Sequence, residues 1–205
     1  MQAILQKHVP APSFDYCLAL WHQHQFDFKV TRPRQSKFGD FRVRPGQRAC
    51  ITINNDRNPY GFLITYLHEI AHLVTYRANP KKRVAPHGKE WKANFRQLLI
   101  PVLDVTVFPV SILVPLLRYA QNPKASTASD GPLMLALQVY QAEAAPGLSN
   151  ADHGVPLNQI AEGEVFSFRQ KTFVRGTLRR TRYVVVEPMS KKQFLIPAHA
   201  LVKKV

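Results

Sequence analysis

Three side chains within five residues define the chemistry open to this chain. His68 and His72 stand four apart in the run His68-Glu69-Ile70-Ala71-His72. On a helix that spacing puts both imidazoles on one face, one turn apart, where they can reach a single ion. Glu69 then lies beside the open coordination position, where a water would sit. One Zn²⁺ ion is the usual occupant, lowering the pKa of that water towards neutrality while the carboxylate takes its proton. Such pentapeptides also arise by chance on metal-free surface helices, so the flanks decide. Asn58 is a good N-cap, Pro59 suits the first helical position, and Asn79-Pro80 ends the run. Phe62, Leu63, Tyr66, Ile70, Leu73 and Val74 recur at helical spacing, which predicts a helix packed against a core.

A third protein ligand must come from further along the chain. The metzincin continuation needs glycine at 75 and histidine at 78, but Thr75 and Ala78 stand there, which excludes that class. The next candidates are His87 and Glu90 in Pro86-His87-Gly88-Lys89-Glu90-Trp91, and the residue types alone leave both open. Gly88 is expected to allow an unusual turn beside His87, with Lys89 to Leu99 returning as a helix across the first. Tyr76 lies one turn beyond His72 on the ligand face, where an aromatic ring is expected to pack in the core.

These two segments, His68 to His72 and Arg83-Val84-Ala85-Pro86-His87-Gly88-Lys89-Glu90-Trp91-Lys92, resemble the SprT-like metalloprotease domain. That family includes bacterial SprT proteins and the eukaryotic Spartan protease. The resemblance covers roughly residues 10 to 120, with two separated motifs agreeing in order and spacing. It implies His68, His72 and His87 as zinc ligands and Glu69 as catalytic base. It also implies a DNA partner, since Spartan-type members degrade proteins crosslinked to DNA. The implied activity is that of a zinc-dependent, DNA-associated protease acting on DNA-bound or DNA-crosslinked proteins. Two alternatives from other classes remain: a general cytosolic peptidase without a nucleic-acid partner, and an inactive metal- or nucleic-acid-binding module.

Charge is the second informative feature of the 205 residues, with a formal net value of +15. Residues 1–121 hold 17 basic and 7 acidic side chains, residues 122–160 one and three, and residues 161–205 ten and three. The excess sits in both end segments and favours a polyanion through phosphate contacts and counterion release. A solvated basic surface is the plainer account. No membrane association is expected: Met1 to Pro10 lacks the apolar core of a signal peptide, and the apolar stretch Leu98 to Leu117 is broken by Asp104 and three prolines. Cys17 and Cys50 lack Cys-x-x-Cys spacing and fit reduced thiols in a cytoplasmic protein, nucleoid-associated if bacterial.

The elements that must position the site follow from local patterns, and the fold class they imply is α+β. Ser13 to Gln25 reads as a helix capped by Ser13, Phe26 to Val30 as a half-buried strand, and Ala49 to Ile53 as another strand. Between the strands, Arg32, Arg34, Lys37, Arg42 and Arg44 surround Phe38, Gly39 and Phe41 in a hairpin or loop pair. Arginines among exposed aromatics can contact phosphates and stack on unpaired bases; a sheet edge with both rings buried is the competing account. Helix, three strands and metal helix make the small core of a minimal zincin. After Leu99, Val102 to Val107 is expected to be extended, and Val110 to Tyr119 helical.

Residues 1–121 are thus read as the SprT-like zincin domain, 122–160 as a linker with a short helix from about Gly131 to Glu143, and 161–205 as a small all-β module. Asp152 and His153 in the linker are read as solvated. The module's strands are expected at Val165 to Phe168, Thr172 to Val174, Leu178 to Val186, Gln193 to Ile196 and from Leu201, with Arg175-Gly176 as a turn. Alternation along Leu178 to Tyr183 predicts Arg180 and Arg182 on one face of a continuous strand, a candidate nucleic-acid surface. Many SprT-like proteins carry a zinc ribbon here, but this chain has no cysteine after Cys50, so a second zinc is not expected.

Overall fold

A computed structural model describes residues 1–34, 37–80, 84–125, 127, 130–143 and 154–205. Arg83, Asp152 and His153 therefore lie outside the described residues. The fold is α+β and divides into two compact units, Met1–Ser126 and Thr127–Val205.

The first unit runs α1 (Gln2–His8), α2 (Phe14–His24), β1 (Asp27–Thr31), β2 (Gly39–Arg42), β3 (Cys50–Asn54), α3 (Pro59–Ala78), α4 (Lys89–Leu99) and α5 (Val110–Gln121). Its sheet has the order β1-β3-β2: β1 pairs parallel with β3, and β2 pairs antiparallel on the other side, Gly39 opposite Ile53. β2 is therefore an edge strand.

Helix α3 starts where local chemistry dictates. Asn58 is extended (φ −62°, ψ 162°), its side chain accepts the Gly61 N–H at 2.8 Å, and Pro59 needs no hydrogen-bond partner for its nitrogen. Phe62, Leu63, Tyr66, Leu67, Ile70 and Leu73 are fully buried, each worth roughly 1.5–3 kcal/mol against exposure. Phe28 of β1 meets both Phe62 and Tyr66 edge-on, and Ile51 and Ile53 of β3 complete the core. The Tyr66 hydroxyl donates to the Cys17 carbonyl at 3.0 Å, tying α2 to α3. Cys17 itself is buried, and burial pushes its thiol up to about 12. The helix ends at Asn79, whose side-chain amide donates to the Thr75 carbonyl at 2.9 Å, and Pro80 cannot extend the ladder.

Asn54, buried at the end of β3, holds the β1–β2 connection. Its amide nitrogen donates to the carbonyls of Arg34 (3.2 Å) and Lys37 (2.9 Å), and its oxygen accepts from Arg34 Nε at 2.8 Å.

Two local expectations for this unit are overturned. Ser13 does not cap α2: its hydroxyl donates to the Pro10 carbonyl at 2.7 Å and closes a short 3-10 turn, Ala11–Ser13. Val102 to Val107 is not extended but turns. The Asp104 carboxylate accepts the Thr106 N–H and its carbonyl accepts those of Val107 and Phe108. Local turn chemistry at Asp104 outweighs the strand preference of the valines.

The second unit holds α6 (Gly131–Glu143), β4 (Val155–Pro156), β5 (Val165–Phe168), β6 (Lys171–Arg179), β7 (Arg182–Val186), β8 (Gln193–Pro197) and β9 (Leu201–Lys204), with sheet order β4-β9-β5-β6-β7-β8. Leu157, Phe166, Phe173, Tyr183, Val185, Ile196 and Val202 form its sheet-side core. Arg175-Gly176 is not a turn. β6 continues through it with a register shift before Leu178, and a Cβ on Gly176 would come within 2.8 Å of the Val184 carbonyl oxygen, which explains the glycine. Among the described residues no helix is long and apolar enough to cross a membrane.

Candidate metal centre

His68 and His72 project from the middle of α3. His87 arrives from the turn before α4, where the Gly88 N–H donates to the Ala85 carbonyl at 3.0 Å. Gly88 has φ −72° and ψ −171°, a conformation open to any residue, so the expected unusual turn is absent. Its lack of a side chain matters for space: a Cβ would sit 3.1 Å from Ala85 Cβ and 3.2 Å from its carbonyl oxygen.

The three Nε2 atoms form a nearly equilateral triangle, with sides of 3.2 Å (His68–His72), 3.1 Å (His72–His87) and 3.2 Å (His87–His68). Glu90 does not join this group. Burial lowers the pKa of all three imidazoles, that of His68 well below the usual value and that of His72 to about 4, with mutual repulsion adding to the effect at both. They are neutral at neutral pH. With the ring protons on Nδ1, three lone pairs would face one another, an arrangement that a shared cation relieves. A triangle of this size has all its corners roughly 2.0–2.1 Å from a point just off its centre, the length of a zinc–imidazole bond. These residues could hold a metal ion, and an all-imidazole donor set suits zinc.

Aromatic rings fix the triangle. Trp91, fully buried one turn into α4, lies 4.6 Å from His68, 5.4 Å from His72 and 4.7 Å from His87, centroid to centroid, and stacks on Phe95. The ring of Phe41 of β2 lies nearly parallel to that of His72, at 6.3 Å and 9°. Neither role was evident from the sequence, where Trp91 stands only as part of the segment around His87; its position four residues after His87, early in the expected helix, was the available signal.

Glu69 is buried, and burial first and Asp40 second raise its carboxyl to about 8, opposed by Arg34 and Lys37. Gly39 of β2 lies directly against it: a Cβ there would stand 2.4 Å from Glu69 Oε1. β2 therefore runs along the site, Gly39 beside Glu69 and Phe41 beside His72. Tyr76 is not in the core: it is 51% exposed, with its ring 6.0 Å from Phe41.

The basic residues singled out from the sequence are dispersed in role. Arg34 is half-buried and bonds Asn54 as well as the Thr52 hydroxyl at 3.0 Å. Lys37 and Arg42 both pair with Asp40. Phe38 lies 3.9 Å beneath the Arg57 guanidinium, and Phe41 packs on His72, so both rings serve the fold. Arg32 and Arg44 are exposed. Arg180 and Arg182 do not share a face of one strand. Arg180 occupies the turn between β6 and β7 with φ 56°, and Arg182 opens β7 directly opposite Arg179. The turn interrupts the alternation that the sequence pattern implied.

No family model matches the chain, and no solved structure matches it. Protein SprT of Vibrio parahaemolyticus serotype O3:K6 (strain RIMD 2210633) is 35% identical over 85 residues, which cover 37% of this chain and 48% of that protein. The chain thus spans about half the length of the curated relative it matches, and over that stretch it is similar to that protein.

Proposed function

We propose that the protein is a zinc-dependent metallopeptidase with a minimal zincin core, cleaving proteins bound or crosslinked to DNA. The observation that carries this reading is the triangle of three Nε2 atoms with the Glu69 carboxyl on the same helix. His68, His72 and His87 would hold the ion. Zinc at such a site supplies Lewis acidity, polarising a carbonyl oxygen and acidifying water. Glu69 takes the proton of the attacking water on a carboxylate oxygen and passes it to the leaving amine. With an ion held by the three histidines, Glu69 would lose its raised pKa and be in its basic form near neutrality. The outer edge of β2, unpaired among the described residues, offers backbone groups to an extended peptide beside Glu69.

The DNA-associated part of the reading rests on the charge of +15, with residues 1–121 carrying the chemistry and 161–205 a basic anchor. Such a partner implies a cytoplasmic, nucleoid-associated setting. The deciding experiment combines metal analysis with proteolysis of casein, with and without DNA. Wild-type protein should carry about one zinc and cleave faster with DNA. Glu69→Gln should keep the zinc and lose roughly 10²–10⁴-fold in rate, because the proton acceptor is gone. Full activity in that variant rejects the assigned role, activity indifferent to DNA favours a general peptidase, and zinc binding without turnover favours an inactive module.

A further inference from the structure

We propose that the β6–β7 hairpin of the second unit is a nucleic-acid-contacting element, with Arg179, Arg180 and Arg182 holding backbone phosphates. This rests on the DNA association proposed above and specifies where it resides. The ladder between β5 and β6 ends at Val165–Val174, whereas pairing of β6 with β7 continues to Arg179–Arg182. The hairpin end therefore runs on past β5, supported from the other side by β8 up to Arg182–Pro197. The Thr181 carbonyl accepts the Ala198 N–H at 3.0 Å and fixes the tip.

Three features set this tip apart, and its concentrated charge suits an external anion. Arg179 and Arg182 are direct cross-strand partners, so two like charges face each other on one side of the sheet. Arg180 adopts φ 56°, a left-handed conformation that suits glycine, asparagine or aspartate. All three arginines are exposed, and among the described residues no carboxylate forms an ion pair with them. Two neighbouring cations of β6 are engaged instead: Arg175 lies 4.0 Å over the Tyr183 ring, and Lys171 pairs with Glu187 at 3.1 Å. That the three cations at the hairpin end are all arginine, whereas the exposed Lys191 and Lys192 occupy another turn, favours phosphodiester over a lipid surface as its partner. A planar guanidinium donates two parallel hydrogen bonds to phosphate oxygens, whereas attraction to an anionic bilayer rewards lysine equally.

The test uses the full chain and fluorescence anisotropy with a labelled 25-base-pair DNA duplex, its single strand, and phosphatidylserine vesicles, over a salt series. The variant Arg179→Gln/Arg180→Gln/Arg182→Gln is compared with a charge-matched control, Arg169→Gln/Lys191→Gln/Lys192→Gln, drawn from other turns of the sheet. The hairpin variant is expected to bind DNA at least about tenfold more weakly, with a salt slope flatter by about 2–3, near 0.9 per lost phosphate contact. The control should lose less than about threefold in affinity. Should the triple variant misfold, Arg180→Gly decides: it relieves the turn, so it should raise the melting temperature and still weaken binding. Wild-type binding that both triple variants share equally, or that Arg180→Gly leaves untouched, overturns the hairpin assignment and leaves DNA association standing. Wild-type protein that ignores both DNAs, or binds only vesicles, overturns the association itself.

Discussion

Two arginine-rich segments, residues 32–44 and 179–182, look alike in the sequence and differ in the folded chain. In the first, Arg34 is built into the fold through Asn54 and Thr52, while Lys37 and Arg42 neutralise Asp40. In the second, three arginines share a hairpin end with no carboxylate paired to them among the described residues. Arg34, Lys37 and Asp40 of the first segment stand near the candidate metal centre, where partial burial makes an unpaired charge costly; Arg32, Arg42 and Arg44 are exposed. The second is in water, where like charges cost little and remain available to an outside anion. Charge density alone therefore does not locate a binding surface; the hydrogen-bond partners do.

Substitutions in the two regions can break or sharpen this contrast. The largest effect is expected next to Glu69. Gly39→Val, which drives a branched side chain into the carboxylate, should reduce peptidase turnover about a hundredfold, since small misplacements of a catalytic group are that costly. DNA affinity should not change; a parallel loss of both would show that the regions are coupled. Next comes Arg34→Ala, which removes the shorter of two bonds to the buried Asn54 oxygen, leaving it only the Thr31 hydroxyl at 3.4 Å, and should destabilise the protein by about 2 kcal/mol in urea unfolding. A third prediction concerns pH. His72 has a folded pKa of about 4 against 6.5. Between those values the unfolded chain binds a proton that the folded protein refuses. The contribution of His72 to the stability of the metal-free protein should therefore be complete above pH 6.5 and be lost progressively as pH falls towards 4. It is opposite in sign to that of Glu69, whose raised carboxyl costs stability as pH rises towards 8. Melting curves of wild type and His72→Gln, which should lose part of this dependence, check the sign. The smallest effect is assigned to Arg182→Ala, within about 0.5 kcal/mol of wild type or slightly stabilising. A destabilisation as large as that of Arg34→Ala would erase the contrast.

Much of the centre was legible in the chain because its signals are local. Asn58-Pro59 starts α3 and Asn79-Pro80 stops it, as capping and the missing proline N–H require. The i, i+4 spacing of His68 and His72 survives in any helix. The helix Lys89–Leu99 also followed from its own pattern. Errors arose where two local tendencies competed. Asp104 turned a valine-rich run that reads as a strand, and Arg180 accepted a left-handed backbone inside an apparently continuous alternation.

By itself, the amino-acid order determined which side chains could ligate a metal, where the helices carrying them begin and end, and the excess of positive charge at the two ends. Those properties depend on neighbours three or four residues away. Residue types left His87 and Glu90 both open, and, as the resemblance implied, the tertiary structure brings His87 to the two α3 histidines. It also set Trp91 and Phe41 against their rings, pressed Gly39 onto Glu69, and consigned Arg34 to the fold while leaving the hairpin arginines in solvent. Each of those outcomes joins residues distant in the chain, and only close packing and the need to satisfy buried polar groups select among the pairings that the sequence permits.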